Sequence, residues 1–543
     1  MDIEFRSRRS PVLARHGMVA ASQPLAAMAG ARILMQGGNA ADAAVATAAC
    51  LNVAEPTSTG IGGDCFALFY DAKTRAVTAL NGSGRAPAAL TIELVRERKL
   101  ESPKHQFSNP FHAHCITVPG ACAGWCDFIE RHGTLPMDKL LAPAIALAEE
   151  GFPVAPATAF YWQRSEEKLR SAPGGQAFLV DGHAPREGEI FRNPGLARTL
   201  QIVAEGGKEA FYRGPVAESI ARAVWESGGV MTTADLAAHV STWDVPISVT
   251  YGGMRVWECP PNGQGLAALL ALNVLEGLGL SQTDPGSADR WHLMIESMRV
   301  AFADTSWYVA DPQFSPIPLD GLLSKKYAAE RRGLIRPDRA MLDTQHGAPV
   351  AGSDTVYFCA VDEQGNAASF INSNYMGFGT GIVPEGRGFT LHNRGANFSL
   401  DPDHPNALAP RKRPYHTIIP GILTRESDGS LYAPFGVMGG FMQPQGHLQV
   451  VVGLMDDGLD PQAALDRPRF CIQPATAAGV VSLETGVPPQ VVTELERRGH
   501  RLQPNVTGYA RALFGRGQII RRDPDGVLWG GSDPRADGGA IGW

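Results

Sequence analysis

The residue of this chain with the most direct chemical use is a threonine at the start of a predicted β-hairpin. Thr355 follows Asp354 and opens the strand-like run Val356–Val361. The segment Asp362–Asn366 predicts a turn, and Ala367–Ser373 predicts the returning strand. A threonine in this place usually serves only as a strand former, because β-branched residues suit strands. If the peptide bond before Thr355 is cut, however, the new N-terminal residue carries its own hydroxyl nucleophile and its own α-amine base. The α-amine of such an N-terminal residue has a reference pKa of about 7.7–8.0, so it accepts a proton near neutral pH.

A pair of glycines offers a second element of such a site. Gly439 and Gly440 end an apolar run, and the backbone N–H groups of glycines approach a ligand closely enough to form an oxyanion hole. Glycine clusters mostly mark turns, so this pair is informative only together with the nucleophile.

Composition limits the classes of protein to consider. The 543 residues are 44% hydrophobic and carry a formal net charge of −7, which argues against nucleic acid as the main partner. The sequence contains no run of eighteen apolar residues, so it predicts no membrane span. The eight cysteines lie mostly in apolar runs without a C-x-x-C pair, so we expect no structural zinc site. For chemistry at an N-terminal threonine we expect neither a metal nor an organic cofactor.

The two halves of the chain have different character. The first half is rich in alanine and predicts mainly helices, whereas strands dominate from residue 355 to about 440. Residues from about 311 to 353 are rich in Pro, Asp and Gly, which predicts a linker that ends at the proposed cleavage site. Strands in both halves with flanking helices predict an α+β fold in one layered unit.

Motifs along nearly the whole chain place these residues in a known context. The chain resembles the γ-glutamyltranspeptidase (glutathione hydrolase) family of self-processing N-terminal-nucleophile hydrolases. The resemblance is carried by Met18–Ser22, Gln36–Ala40, Asp42–Ala44, Gly60–Asp64, Val118–Gly120, Asp354–Thr355, Gly379–Val383, Lys412–Pro414, Gly439–Gly440 and Ser532–Arg535.

The resemblance implies a fold and a reaction. The fold would be a four-layer αββα sandwich built from a large fragment (1–354) and a small fragment (355–543), which self-cleavage between Asp354 and Thr355 produces. Thr355 would form an acyl-enzyme with an amide substrate. Ser373 would hydrogen-bond the nucleophile, and Gly439 with Gly440 would form the oxyanion hole.

The resemblance also implies partners. The two fragments would form a heterodimer, and a dimer of such heterodimers is left open. Secreted members of the family begin with a signal peptide. The polar start of this chain has no apolar segment of that kind, so we expect a cytoplasmic protein without membrane or nucleic-acid partners.

One residue that recognises the substrate in the family is replaced in this chain. The family has an arginine that binds the glutamyl α-carboxylate, and Ser83 occupies that place. Arg85 lies two residues further on, and the sequence leaves open whether it substitutes for the family's arginine.

The loop between Phe398 and Arg413 is shorter than in transpeptidases that carry a lid over the site, so we expect hydrolysis to exceed transfer to amines.

The second recognition element is changed more strongly. In the segment that binds the substrate α-ammonium, Arg394 replaces a glutamine and Asn397 replaces an aspartate. Tyr375 replaces an asparagine, and His416 and Thr417 replace two serines. Removing a carboxylate and adding a guanidinium disfavours a zwitterionic head group, since losing one partner of a buried charge pair costs roughly 2–5 kcal/mol.

Three functions therefore remain open from the sequence. The overall match favours hydrolysis of γ-glutamyl, glutathione-type amides. The altered pocket favours an acylase or amidohydrolase acting on a dicarboxylic monoamide without the α-amine, such as a glutaryl amide or oxamate. A remote third reading is an unprocessed scaffold without catalysis, against which the joint presence of the nucleophile, the serine and the glycine pair argues.

Overall fold

The computed structural model describes residues 9–343 and 354–543. Within these residues the chain forms nineteen β-strands and seventeen α-helices. The strands are β1 (Val12–Ala14), β2 (Met18–Ala21), β3 (Asp64–Asp71), β4 (Ala76–Gly82), β5 (Phe152–Pro153), β6 (Ile190–Phe191), β7 (Thr242–Asp244), β8 (Ile247–Tyr251), β9 (Met254–Glu258), β10 (Asp354–Val361), β11 (Ala367–Tyr375), β12 (Gly421–Arg425), β13 (Leu431–Met438), β14 (Phe470–Gln473), β15 (Val480–Glu484), β16 (Leu502–Val506), β17 (Arg516–Arg522), β18 (Leu528–Ser532) and β19 (Gly539–Gly542). The helices are α1 (Pro24–Met35), α2 (Ala40–Ala54), α3 (Ile92–Glu97), α4 (Ala121–His132), α5 (Met137–Glu150), α6 (Pro156–Arg164), α7 (Glu166–Ser171), α8 (Pro194–Tyr212), α9 (Pro215–Glu226), α10 (Thr233–Ala237), α11 (Gly265–Glu276), α12 (Ala288–Tyr308), α13 (Leu319–Leu322), α14 (Lys325–Arg332), α15 (Met442–Met455), α16 (Pro461–Asp466) and α17 (Pro489–Arg497).

Two large sheets form the centre of the molecule. The nucleophile sheet has the strand order β19-β2-β10-β11-β3-β4-β7, and the glycine-pair sheet has the order β1-β18-β17-β13-β12-β9-β8. Both sheets contain strands from before and after residue 354 that pair with each other: β10 pairs with β2, β11 pairs with β3, and β12 pairs with β9, all antiparallel. The two halves of the chain are therefore interleaved within each sheet.

The helices cover the outer faces of the two sheets. Helices α1, α2, α4, α5 and α8 share a core with the nucleophile sheet, whereas α11, α12 and α15 share a second core with the glycine-pair sheet. A third core fills the space between the sheets, where Phe66, Tyr357 and Ile371 meet Ile422 and Ile520. This arrangement is the predicted four-layer αββα sandwich.

The predicted hairpin is confirmed. The side chains of β10 alternate between two cores, which explains why both faces of this strand are apolar. In β10, Val356, Phe358 and Ala360 belong to the core under the helices, while Tyr357 and Cys359 belong to the core between the sheets. A strand that is buried on both faces reads as a continuous apolar run, because successive side chains point to opposite sides.

The alanine-rich segment before β3 forms a completely buried helix, as its composition predicts. All fifteen residues of α2 are buried. Asn39 caps its N-terminus by accepting from the N–H groups of Ala41 and Asp42, and the Asp42 side chain accepts from the Asn39 N–H in return. Small side chains let this helix pack closely on β10 and β11.

The linker predicted over about 311–353 is partly helical. Its described part contains α13 and α14, and α14 begins with a Ser324 cap on the Tyr327 N–H. Composition alone missed these helices because they are short and are flanked by Pro318 on one side and Gly333 on the other. Residues 344–353 lie outside the described residues.

Candidate active site

Thr355 lies at the start of β10 beside the end of β11. Its Oγ1 is 3.1 Å from the Oγ of Ser373, and both residues are fully buried. The β10–β11 register shifts between Asp354 and Val356, so the strand pairing is irregular at the position of the nucleophile. The structure therefore brings the two predicted hydroxyls together. The predicted cleavage between Asp354 and Thr355 remains a prediction.

Arg394 connects the two hydroxyls to the acyl-recognition residues. Its Nη2 donates to Ser373 Oγ at 3.1 Å, its Nη1 donates to Thr417 Oγ1 at 2.7 Å, and its guanidinium lies 4.3 Å from the centre of the Tyr375 ring. Burial lowers the pKa of Arg394 to about 10, so the side chain stays cationic at neutral pH. Among the described residues its Nε has no hydrogen-bond partner and no carboxylate forms an ion pair with it. A buried guanidinium in this state is suited to bind an anion.

Tyr375 and Asn397 form a pair on the other side of this guanidinium. The Tyr375 hydroxyl donates to Asn397 Oδ1, and Asn397 Nδ2 donates to the Tyr415 carbonyl at 3.1 Å. Tyr375 has φ +75°, a conformation rare for a residue with a large side chain and most common near functional sites. Its own N–H donates to Ser373 Oγ at 2.9 Å. The Asn397 oxygen is thus already engaged and carries no charge for a substrate ammonium.

Gly439 and Gly440 lie in the turn between β13 and α15. Their φ angles are +135° and +60°, and a Cβ on Gly439 would lie 3.2 Å from the Cα of Gly515. Both positions therefore need glycine. Gln264 Nε2 donates to the Gly440 carbonyl at 2.8 Å and to the Thr417 carbonyl at 2.6 Å, which ties the pair to the residue that accepts from Arg394. Their role as an oxyanion hole remains a prediction.

An aspartate that the sequence analysis did not assign to the site lies beneath His416. Asp64 Oδ2 accepts from His416 Nε2 at 3.0 Å and lies 3.5 Å from His392 Nδ1, while Oδ1 accepts from the N–H groups of Gly84 and Gly120. The motif Gly60–Asp64 includes this aspartate, but the sequence does not show that the Asp64 carboxylate lies beside two histidines.

The charges around Asp64 determine its ionisation. Burial acts to raise the pKa of this carboxyl, but His392, His416 and Arg394 outweigh burial and hold the pKa below its usual range. Burial and the nearby Arg394 lower the pKa of His416 to about 3. The cluster therefore contains an ionised Asp64 and a neutral His416 at neutral pH, with the Arg394 charge beside them.

The residues at the position of the missing family arginine lie at the edge of this network. Ser83 is buried, and its Oγ accepts from Asn262 Nδ2 at 3.1 Å. Arg85 donates to Gln313 Oε1 at 3.2 Å on the partly exposed side of the segment. Arg413, which was not singled out from the sequence, donates to the Ser83 carbonyl at 2.9 Å. The hydrogen bond of Arg85 therefore leads toward Gln313 instead of the acyl pocket.

A cavity of about 210 Å³ adjoins the Tyr375–Asn397 pair. Its lining includes Ala396, Asn397, Phe398, Tyr415, Phe441 and Phe302. Ser399, Asp401 and His404 from the short loop after Phe398 also line it. The loop that was expected to leave the site open thus borders a largely apolar space beside the recognition residues.

One group of side chains in the described residues has the composition of a metal site. His292, Glu296 and His500 offer ligand atoms within 4.8 Å of one another, and all three are buried. Arg299 Nε lies 3.2 Å from Glu296 Oε1, so a cation already faces this carboxylate. The group lies between α12 and the segment after α17 and belongs to a different part of the fold from Thr355.

The fold and the site together define a class of enzyme. A four-layer sandwich with a threonine at the start of a central strand, paired with a second hydroxyl and connected by hydrogen bonds to a glycine turn, is the arrangement of an N-terminal-nucleophile hydrolase. Comparison with known proteins gives the family.

The family described as Gamma-glutamyltranspeptidase matches residues 26–543, and the chain belongs to this family. It is 36% identical over 534 residues to the glutathione hydrolase-like YwrD proenzyme of Bacillus subtilis, covering 98% of this chain and 99% of the relative. It is 34% identical to the oxamate amidohydrolase proenzyme of Klebsiella pneumoniae, covering 97% of this chain and 98% of the relative. The crystal structure of a cephalosporin acylase from Bacillus halodurans superposes with a TM-score of 0.91 at 47% identity, covering 100% of this chain and 98% of that one. The protein is accordingly a hydrolase of the N-terminal-nucleophile type.

Within residues 9–343 and 354–543, the helices are all too short or too polar to span a membrane.

Proposed function

We propose that this protein cleaves itself before Thr355 and then hydrolyses a short dicarboxylic monoamide whose acyl group lacks an α-amine. The single observation that carries the proposal is the state of Arg394. A buried cation that no carboxylate of the described residues contacts directly lies one hydroxyl away from the nucleophile, with Asp64 acting on it from a distance. The residue at the family's ammonium-binding position is a neutral asparagine engaged with Tyr375.

Self-cleavage would supply the catalytic base. The Thr355 hydroxyl attacks the carbonyl carbon of Asp354, the C–N bond breaks, and an ester joins the two residues. Water then hydrolyses the ester, which leaves a carboxylate on Asp354 and a free α-amine on Thr355. Because the hydroxyl and the α-amine now belong to one residue, the amine takes the hydroxyl proton when Thr355 attacks a substrate.

Substrate hydrolysis would follow the same chemistry in two steps. Thr355 Oγ1 attacks the amide carbon, and the amide N–H groups of Gly439 and Gly440 stabilise the negative oxygen, a contribution of about 10²–10³ in rate per donor. The leaving amine takes the proton held by the α-amine. Water then attacks the acyl-enzyme and releases the dicarboxylate, whose distal carboxylate is held by Arg394.

The interleaved sheets support a lasting heterodimer of the two fragments. After cleavage, β10 and β11 of the small fragment still pair with β2 and β3 of the large fragment, and β18 of the small fragment pairs with β1 of the large one. Separating the fragments would break strand pairings and expose the core between the sheets, so we expect them to purify together.

Hydrolysis of γ-glutamyl amides is the second candidate. It is favoured by the full-length relationship to a protein named as glutathione hydrolase-like. In that case the α-ammonium would have to lie beside Arg394 with only neutral partners in Tyr375 and Asn397, which is electrostatically unfavourable.

The experiment begins with the intact mass of the purified protein. Cleavage before Thr355 predicts fragments of 354 and 189 residues, about 38 and 20 kDa when 57.9 kDa is divided by residue number. The processed enzyme is then assayed with glutaryl-, oxalyl- and γ-glutamyl-p-nitroanilide. We expect kcat/KM to be higher for an acyl group without the amine. A clear preference for the γ-glutamyl substrate would contradict the proposal, and a chain that stays whole and inactive would favour a non-catalytic scaffold.

A further inference from the structure

His392 has one ring nitrogen with a partner and one without. Its Nε2 lies 2.8 Å from the carbonyl oxygen of Thr117, and because a carbonyl only accepts, Nε2 carries a hydrogen. Its Nδ1 faces Asp64 Oδ2 at 3.5 Å and, among the described residues, makes no hydrogen bond. The side chain is fully buried, so no bulk water reaches this nitrogen.

Asp64 is fully supplied with donors apart from His392. Oδ1 accepts from two backbone N–H groups, at Gly84 and Gly120, and Oδ2 accepts from His416. His416 Nδ1 accepts weakly from the Ile418 N–H at 3.4 Å, which leaves its hydrogen on Nε2 toward Asp64. His392 Nδ1 occupies the remaining approach to Asp64 Oδ2. When the His392 ring is neutral, this nitrogen carries a lone pair, which faces the negative carboxylate oxygen.

The buried charges balance only in the absence of a substrate carboxylate. Asp64 carries one negative charge and Arg394 one positive charge, and each influences the ionisation of the other. A carboxylate bound at Arg394 adds a second negative charge to the same buried region. An uncompensated buried charge is costly, and a group that can gain a proton there does so.

We propose that binding of the substrate carboxylate at Arg394 is coupled to uptake of one proton by His392, which makes His392 a positioning residue of the acyl pocket. The proton comes from solvent and binds Nδ1, whose N–H then donates to Asp64 Oδ2. This inference rests on the proposed function, because a neutral acyl group would add no charge to balance.

The direction of the pH dependence follows from the groups that face His392. In the free enzyme, burial lowers the pKa of His392, and Arg394 acts in the same direction, while Asp64 and the Thr117 carbonyl oppose them. The bound carboxylate raises this pKa. Affinity is therefore highest at low pH and falls as pH rises through the pKa of the complex, by up to about tenfold per pH unit.

Two other titrating groups lie close enough to need separation from His392. His416 stays neutral in this window, since its pKa is lowered to about 3, and Arg394 loses its proton only toward pH 10. The experiment is therefore run between pH 5.5 and 8.5. His239 serves as the control because it is another histidine near this region that stacks on Tyr212 and makes no hydrogen bond to Asp64. Burial lowers the pKa of His239 to about 3, and the charge of Asp64 acts on it only from a distance.

The test is calorimetric titration of the processed enzyme with glutarate and with oxalate, the acids that hydrolysis of the candidate substrates releases, in buffers that differ in ionisation enthalpy. The difference in heat between buffers gives the number of protons taken up per site, and it needs only the wild-type protein. His392→Gln keeps an amide N–H for the Thr117 carbonyl and removes the nitrogen that faces Asp64. His239→Gln is titrated in parallel.

Uptake of up to one proton in the wild type and in His239→Gln, with little or none in His392→Gln, is the expected result. We expect affinity in the wild type to fall about tenfold to a hundredfold between pH 6 and pH 8. Binding without proton uptake would overturn this inference and leave the proposed function in place. Undiminished uptake in His392→Gln would overturn the assignment to His392. If neither acid binds the processed enzyme, the proposed function fails and the inference fails with it.

Discussion

The nucleophile region and the acyl-recognition region share one hydrogen-bond network, yet they depend on different physics. Around Thr355 the structure holds two hydroxyls beside each other through strand pairing. Around Arg394 it holds a balance of buried charges drawn from distant parts of the chain. In the proposed function the first region contacts only the amide of the substrate, and the second selects the acyl group.

This difference explains how one scaffold can serve relatives with different names. A backbone oxyanion site and an N-terminal threonine are independent of the acyl group, so they can stay while the pocket changes. A change of one charge in a buried pocket alters binding by several kcal/mol. The four predictions below separate the two regions by measuring processing and acyl preference independently.

The largest effect is expected from removing the nucleophile. Thr355→Ala removes the hydroxyl on which both self-cleavage and acyl transfer depend, so we expect an intact chain and a loss of amide hydrolysis of more than about a thousandfold. Intact mass and p-nitroaniline release measure the two effects. Thr355→Ser, the matched control, keeps a hydroxyl and should still be cleaved. Cleavage of the alanine variant at the same bond would contradict the assignment of Thr355.

A large but substrate-dependent effect is expected at Arg394. Arg394→Gln removes the buried cation, so kcat/KM for glutaryl-p-nitroanilide should fall about thirtyfold to a thousandfold. Butyryl-p-nitroanilide, of similar length without the carboxylate, should lose much less. Since Arg394 also donates to Ser373, a moderate loss with both substrates is expected. Equal losses with both substrates would show that Arg394 only orients the hydroxyls.

A change of preference is expected from restoring a carboxylate at position 397. Asn397→Asp places a negative charge beside Arg394 and the Tyr375 hydroxyl, which should favour an α-ammonium and disfavour a free carboxylate. We expect the ratio of kcat/KM for γ-glutamyl over glutaryl substrates to rise about tenfold. Ser399→Asp adds the same charge to the lining of the neighbouring cavity and should leave the ratio nearly unchanged. An unchanged ratio in the Asn397 variant would argue against a role of this position in charge recognition.

The smallest effect is expected from the hydroxyl of Tyr375. Tyr375→Phe keeps the ring under Arg394 and removes one hydrogen bond to Asn397, so kcat/KM should fall only about twofold to tenfold. Steady-state kinetics with the preferred substrate checks this value, and intact mass should show normal cleavage. A loss of more than a hundredfold would mean that the hydroxyl takes part in the chemistry itself.

Much of the fold and of the nucleophile region was predictable because its signals are local. The β10–β11 hairpin follows from two apolar runs around a polar turn, and the buried helix α2 follows from an alanine-rich run with a capping box. The short helices within the predicted linker were missed because proline and glycine dominate the local composition. The place of Arg85 could not be predicted, since its bond to Gln313 depends on how two distant loops pack.

By itself, the sequence determined the nucleophile hairpin, the glycine pair, the family and the loss of an anionic residue at position 397. Each of these is either a local pattern of hydrogen bonding and burial or a substitution at one matched position. Only the tertiary structure decided that Asp64 meets His416 across 352 residues and that Arg394 donates to Ser373. The physical reason is that charge balance in a buried site depends on distances between side chains, which arise when the two sheets pack together and not from any one segment.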